Sequence, residues 1–258
     1  MTVIGVTGLH IDPLGNKRIA GAGKDRVANR LLEKHSFVLM SFADPLKRFL
    51  QEVYEFTDEQ LWGESEKRTE PDTRYPRPRQ FKDQDIPTQY LTPRFALTSL
   101  GNDWGRECYD ATWVDYLRRT AVKLQCGGYT YSQKLGLQPC IYTSDDPWIR
   151  PKTKIVVSDC RYFNEAQAVR DAGGVLVRVK RFAKEPFDKK LMDNEHASEV
   201  QLPQWPDSEF DYVIPNDAGL LDLAMRTDSM HDAATGRMIP FDESQQDIPP
   251  FLRKPTTT

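Results

Sequence analysis

Gly21-Ala22-Gly23-Lys24-Asp25 stands between a β-branched run, Val3 to Thr7, and a segment in which Val27, Ala28, Leu31 and Leu32 recur at helical spacing. A strand, a loop and a glycine-rich turn that opens a helix constrain the fold more than any other feature of this chain. Small residues let successive backbone N–H groups converge on one anion, the helix N-terminus adds its dipole, and the lysine supplies a point charge. The loop from Leu9 to Ala20 is long and irregular, with Pro13 and Gly15 in it. The strict phosphate-loop pattern is only partly met. Arg18 falls where its first glycine belongs, and Asp25 where serine or threonine would hold Mg2+. Read alone, the turn fits a phosphate cradle or an ordinary glycine-rich helix start.

The rest of the chain alternates strands and helices. Phe37 to Phe42 reads as a second strand, after which Asp44 is expected to cap a helix with Pro45 in its first position. Residues 57–93 are charged, hold five prolines and lack a sustained apolar period, so a mobile excursion over a site is expected there, with one short helix near Asp58 to Trp62. Helical patterning returns from Pro93 to Arg106 and from Thr112 to Leu124. A second excursion, 126–154, precedes an apolar strand, Ile155 to Ser158, that ends in Asp159-Cys160-Arg161. A helix from Asn164 to Ala172, a strand from Val175 to Val179, a short strand at Tyr212 to Ile214 and a helix from Gly219 to Met225 complete the pattern. Such alternation predicts an α/β fold of three layers, a parallel sheet flanked by helices, with its ligands at the carboxyl ends of the strands.

At 258 residues, with 39% hydrophobic and 28% charged residues, the composition is that of a soluble globular chain. A net charge of −3 argues against a nucleic-acid polymer as the main ligand. No stretch approaches the roughly 20 apolar residues of a membrane helix, and Met1-Thr2-Val3 leads straight into a strand, so neither a membrane span nor a signal peptide is expected. Cys108, Cys126, Cys140 and Cys160 lack metal-ligand spacing, which suits a reduced, cytoplasmic chain.

Two further constellations carry chemistry. An acidic residue at the end of an apolar strand, Asp159, suits the metal side of a phosphoryl-transfer site, with Arg161 in reach of a phosphate. Capping of the following helix is the plainer alternative. Arg94 and Arg106 offer guanidinium forks for phosphate oxygens, although most surface arginines do nothing of the kind.

Taken in order, several segments resemble the phage-type deoxynucleoside monophosphate kinases of the P-loop kinase superfamily. They are Gly21-Ala22-Gly23-Lys24-Asp25, Ser41-Phe42-Ala43-Asp44-Pro45-Leu46-Lys47, Phe56 to Gly63, Thr92-Pro93-Arg94, Leu100-Gly101-Asn102-Asp103-Trp104-Gly105-Arg106, Ser158 to Glu165, His196 to Glu199, and Asp211 to Ile214 with Asn216-Asp217. The resemblance implies a kinase domain over 1–228, with a monophosphate-binding excursion at 57–93, a lid region at 181–199, an unplaced insertion at 126–154, and an extended C-terminal tail at 229–258. It implies that Gly21, Ala22, Gly23, Lys24, Asp25 and Arg26 line the ATP phosphates and that Asn216 lies near the ATP base. Asp44, Lys47, Arg94 and Arg106 would face the monophosphate. Asp25 and Asp159 would hold Mg2+, with Lys24, Arg94, Arg106, Asp159 and Arg161 as the catalytic set. Arg181, Lys184, Lys189 or Lys190 would supply lid cations, with His196, Ser198 and Glu199 near the lid's return.

What the resemblance implies as activity is transfer of the ATP γ-phosphoryl group to a deoxynucleoside 5′-monophosphate, in the host cytoplasm. Its partners would be ATP and the monophosphate, with no nucleic-acid polymer and no membrane, and room for a homodimer. A kinase of another acceptor, such as a modified base in DNA or dephospho-coenzyme A, and a non-catalytic nucleotide-binding protein remain the alternatives.

Overall fold

The computed structural model of the chain describes residues 2–77, 90–140, 153–188 and 201–236. Its centre follows from strands whose alternate residues point to opposite faces. In β1 (Val3–Ile11), Val3 packs into one core and Ile4 and Val6 into the other. In β8 (Lys154–Ser158), Ile155 and Val157 share the face of Val3, while Val156 joins Ile4. Both faces of the sheet are therefore apolar, and each needs a helical layer. Helices α1 (Lys24–His35) and α8 (Leu220–Ala234) cover one face through Val27, Leu31, Leu223 and Met230. Helices α6 (Thr112–Cys126) and α7 (Phe163–Asp171) cover the other through Leu117, Leu124, Ala166 and Val169.

The sheet runs β10-β9-β1-β8-β3, with β3 at Phe37–Ser41, β9 at Val175–Phe182 and β10 at Tyr212–Pro215. All four pairings along this path are parallel. The expected α/β architecture is thus observed. From β1 the chain crosses past β8 to reach β3, and from β8 it crosses past β1 to reach β9. The crevice between the carboxyl ends of β1 and β8 is where the direction of winding reverses, the usual ligand position in such sheets.

Most elements fall within a few residues of their expected limits, and the departures have physical causes. Strand β1 runs on beyond Gly8 because its last residues pair with β9 on one side and with a short antiparallel strand, β2 (Lys17–Arg18), on the other. The loop expected to be irregular is in part a β-finger. Helix α2 (Asp44–Tyr54) begins at Asp44 rather than being capped by it. Between Thr98 and Glu107 the expected α-helix, α5 (Pro93–Thr98), widens into a π-helix, Ser99–Arg106.

The excursion at 57–93 holds more order than its charge predicts. Helices α3 (Asp58–Trp62) and α4 (Ser65–Thr69) and the pair β4 (Asp72–Pro76) and β5 (Tyr90–Leu91) surround a separate apolar cluster of Leu50, Phe56, Leu61 and Ala96. Much of that apolar surface comes from α2 and α5, outside the charged stretch. In the insertion at 126–154, β6 (Tyr129–Ser132) and β7 (Gly136–Pro139) form a hairpin.

The expected tail does not start at 229, since α8 continues to Ala234. Its last turns are tied to α1: the Asp228 carboxylate accepts from Arg30, Lys34 and His35, and His35 stacks on the buried His231 at 3.8 Å. Lys189, Lys190, His196, Ser198, Glu199 and most of the lid region lie outside the described residues, as do 78–89, 141–152 and 237–258. Among the described residues, no helix is long and apolar enough to cross a membrane.

Candidate active site

At the carboxyl end of β1 the glycine-rich turn delivers Lys24 to the first position of α1. Gly23, at φ 101°, occupies a backbone region that only glycine enters readily, and a β-carbon there would come within 2.5 Å of Asn216 Nδ2. Asn216 follows β10, takes the Lys180 carbonyl with its own N–H at 2.8 Å, and donates from Nδ2 to the Ala22 carbonyl at 2.9 Å. It buttresses the turn from the next layer. Asp25 and Arg26 are exposed on the first turn of α1, where Gly21 is exposed and Ala22 buried.

Lys24 is almost wholly buried, and its ammonium lies 3.0 Å from Asp25 Oδ2 and 3.3 Å from Asp159 Oδ1. Burial pulls its pKa down, but Asp159 and Asp25 outweigh burial and raise it. Asp159 reaches this position from the end of β8 with a left-handed backbone, φ 66°. Such a conformation persists in a non-glycine residue only where its surroundings hold it, and it clusters at functional sites. Its Oδ2 accepts from Arg161 Nε at 2.9 Å and Nη2 at 2.6 Å. Burial pushes the Asp159 carboxyl up, yet Arg161 and Lys24 together hold it well below the usual carboxylate range.

Asp159 does not cap α7. Glu165 does that work, accepting from the N–H groups of Arg161 at 2.8 Å and Tyr162 at 3.2 Å. Its other oxygen accepts from Arg106 Nη2 at 2.7 Å, and the Arg106 guanidinium lies 3.6 Å over the Tyr162 ring. Burial pushes the Glu165 carboxyl up to about 7 against the pull of Arg106 and the two amides. Arg106 thereby links the π-helix to the loop that carries Asp159 and Arg161.

Across the crevice, α2 and the excursion bring a second set of cations. The Lys47 ammonium lies 5.7 Å over the Trp62 ring, and burial lowers its pKa to about 8 despite Asp44, Asp159 and Asp25. Arg68, on α4, is lowered by burial and then by the charge of Arg94, and it feels Asp159, Asp25 and Arg161 as well. Lys47, Arg68, Arg94 and Arg161 thus share one field with Lys24, Asp25 and Asp159. Mutually repelling cations gathered round fewer carboxylates suit a multiply charged anion.

Asp44, like Arg106, is held by partners of its own. It is fully buried, and its carboxyl accepts from Ser41 N–H at 2.8 Å, Tyr131 Oη at 2.8 Å and Gln133 Nε2 at 3.0 Å. Burial raises its pKa in spite of these donors. The β6–β7 hairpin supplies Tyr131 and Gln133, so the insertion locks the start of α2, and Asp44 orients the helix that presents Lys47.

The chemistry of the carboxylates fits a hard divalent cation. Among the described residues, the buried Asp159 Oδ1 has the Lys24 ammonium against it at 3.3 Å and no other partner. Mg2+ is bound by one or two carboxylates together with substrate phosphates rather than by an all-protein cage. No group of three or more His, Cys, Asp or Glu suited to a metal occurs among the described residues.

Lys24, Asp25, Asp159 and Arg161 are brought together as expected, and Lys47 and Arg94 join them. Arg68 was not singled out in the sequence, where it sits in Ser65-Glu66-Lys67-Arg68-Thr69 with no apolar period to orient it. The resemblance of the neighbouring Phe56 to Gly63 segment is the signal that could have led to it.

No family model matches the chain. Over 196 residues, 76% of this chain and 83% of the relative, it is 29% identical to a protein of Acanthamoeba polyphaga mimivirus named "Putative deoxynucleotide monophosphate kinase".

Proposed function

We propose that the chain transfers the γ-phosphoryl group of ATP to a deoxynucleoside 5′-monophosphate, giving the diphosphate and ADP. One observation carries this reading. A buried lysine at the opening of a helix is held between two carboxylates at the switch point of the sheet, and faces a second cluster of Lys47, Arg68, Arg94 and Arg161. Lys24 and Arg161 around Asp159, with Lys47, Arg68 and Arg94 in the same field, suit two phosphate-bearing ligands meeting end to end. The name of the mimivirus relative points the same way.

In this reading Lys24 neutralises the β/γ-phosphates of the donor at the α1 N-terminus, where the helix dipole adds to its charge. Lys47, Arg68 and Arg94 hold the acceptor phosphate so that its oxygen lies in line with the γ-phosphorus. Arg161, anchored by Asp159, faces the charge that spreads over the transferring group. Asp159 and Asp25 would hold Mg2+, which when bound supplies charge neutralisation on the donor phosphates. No protein nucleophile is needed, because positioning and charge account for most of the rate in such transfers. The excursion carrying Arg68 would exclude water as it meets the acceptor.

The test is to incubate the chain with Mg·ATP and a panel of acceptors, and to separate the products. The panel holds the deoxynucleoside monophosphates, normal and 5-substituted, a coenzyme A precursor and duplex DNA. A deoxynucleoside diphosphate formed with stoichiometric ADP is expected. ATP binding without ADP release against any acceptor would replace this reading with a non-catalytic one, and label transferred to DNA or the coenzyme A precursor would change the acceptor class.

A further inference from the structure

Strand β1 would end at Gly8 in the simplest strand-to-turn connection. Instead the chain continues to Ile11, turns, and returns as β2 with Arg18 paired opposite His10. It comes back so tightly that a β-carbon on Gly8 would overlap the Ile19 carbonyl. The finger tip is fixed by Asp12, whose carboxylate accepts from the N–H groups of Leu14, Asn16 and Phe187 and from Asn16 Nδ2.

The finger carries two nitrogen-bearing side chains back onto the glycine-rich turn. A β-carbon on Gly21 would lie 2.9 Å from His10 Nδ1 and 3.5 Å from an Arg18 terminal nitrogen, and Arg181 donates to the Gly21 carbonyl at 3.2 Å. His10 is only 7% exposed, and among the described residues its Nδ1 is buried with no well-formed hydrogen bond, the Ala20 backbone being the polar group that acts on the ring. Phe187 holds the ring edge-on at 4.9 Å and also carries the Arg18 guanidinium at 4.1 Å. Of the charged groups facing His10, Arg18 and Arg181 are cationic, and Asp12 is the carboxylate already satisfied by four donors. A buried nitrogen short of a partner is unfavourable, and so are two guanidinium groups facing one ring with no carboxylate paired to either among the described residues. One ligand removes both penalties, namely an anion with several oxygens at Gly21.

We infer that the finger is a phosphate-recognition insert, in which His10, Arg18 and Arg181 contact the phosphate chain of the donor nucleoside triphosphate alongside Lys24. The inference rests on the proposed kinase reading and adds the residues that stand in for the missing first glycine of the phosphate loop. Burial and then Arg18 hold the His10 ring below its ordinary pKa, with Arg181 adding to them against the Ala20 backbone and Asp12. The ring is therefore neutral at pH 7.5 in the free protein. A bound phosphate adds negative charge beside Nδ1, so the ring takes up a proton as the nucleotide binds.

Calorimetry on the full chain tests this, with a non-hydrolysable ATP analogue and a deoxynucleoside monophosphate titrated separately in buffers of different ionisation enthalpy. His10→Leu and Arg18→Met are each expected to weaken the analogue tenfold or more while leaving the monophosphate within about twofold. The parent should take up a proton with the analogue at pH 7.5, and His10→Gln, which can donate without a proton, should bind it without that uptake. Parental analogue affinity in both variants overturns the inference, as does equal weakening of both ligands. If that happens while Lys24→Ala still abolishes turnover, the kinase reading stands and the finger has no part in it. A parent chain that binds no ATP analogue overturns both.

Discussion

Asp159 joins three roles at one residue: it pairs with Lys24, it anchors Arg161, and its buried Oδ1 has no partner but Lys24 among the described residues. Replacing it with Asn keeps the shape and tolerates the left-handed backbone, so the substitution isolates the charge. Asp159→Asn should lower kcat by about a hundredfold or more while leaving ATP affinity within a few-fold, the pattern of an interaction felt mainly in the transition state. The Mg2+ dependence should shift with it. Parental kcat over a Mg2+ titration would move the metal to another carboxylate. Lys47 gives a second test. Its pKa near 8 leaves it charged at neutral pH and discharges it above, whereas the acceptor phosphate, with its second pKa of about 6, is a dianion throughout. In the free protein, kcat/KM for the monophosphate should therefore fall above about pH 8, towards tenfold per pH unit. Lys47→Arg should stay flat in that range, and a parent profile level to pH 9.5 would remove Lys47 from the acceptor site. Lys24, Asp25, Asp159 and Arg161 were legible because a strand end and a helix start fix where they point. The parts of Asp44 and Arg106 were not, because nothing local reveals that Tyr131, Gln133 and Glu165 reach them from distant segments.

At the level of elements, the β6–β7 hairpin does what the sequence left unplaced. Besides sealing Asp44, it offers the Gln133 carbonyl and the Tyr131 hydroxyl to Arg48 of α2. A double variant, Tyr131→Phe with Gln133→Ala, leaves the Asp44 carboxyl buried with only the Ser41 amide, which should destabilise the chain by about 2–4 kcal/mol. Because α2 also presents Lys47, the monophosphate KM should rise more than that for ATP. Urea unfolding and paired KM measurements check both parts, and equal KM changes would make the hairpin a purely structural prop. Most helices and central strands were readable to within a few residues because long apolar periods and caps mark them, though the last helix runs on to Ala234. The π-helix was not. Over eight residues its period is too close to that of an α-helix, and the contacts that accompany it are tertiary: a Gly105 with no room for a β-carbon against Trp113, whose indole donates to the Gly101 carbonyl at 2.8 Å.

Over the whole molecule, the α1–α8 contact ties the glycine-rich turn's own helix to the end of the described chain. His231 is fully buried there, stacked on His35, with Asp232 beside it and Lys154 nearby. Burial, then His35 and Lys154, hold its pKa below the ordinary value against Asp232. In the unfolded chain the ring takes a proton near 6.5, while in the folded chain it resists. Stability is therefore full above that value and declines as pH falls below it. Urea midpoints at pH 7.5 and 5.5 should show the decline, and His231→Phe should flatten it; an equal decline in the variant would assign the effect to other groups. The α/β class and the switch-point position of the site were the most legible features of all, since the alternation of strands and helices already implies them. The excursion's order was hidden, because its apolar partners belong to α2 and α5. That separate cluster of Leu50, Phe56, Leu61 and Ala96 has an evolutionary consequence. The acceptor side of the proposed site stands on a foundation of its own, so substitutions there can re-tune which monophosphate is chosen without unsettling the sheet that holds the donor.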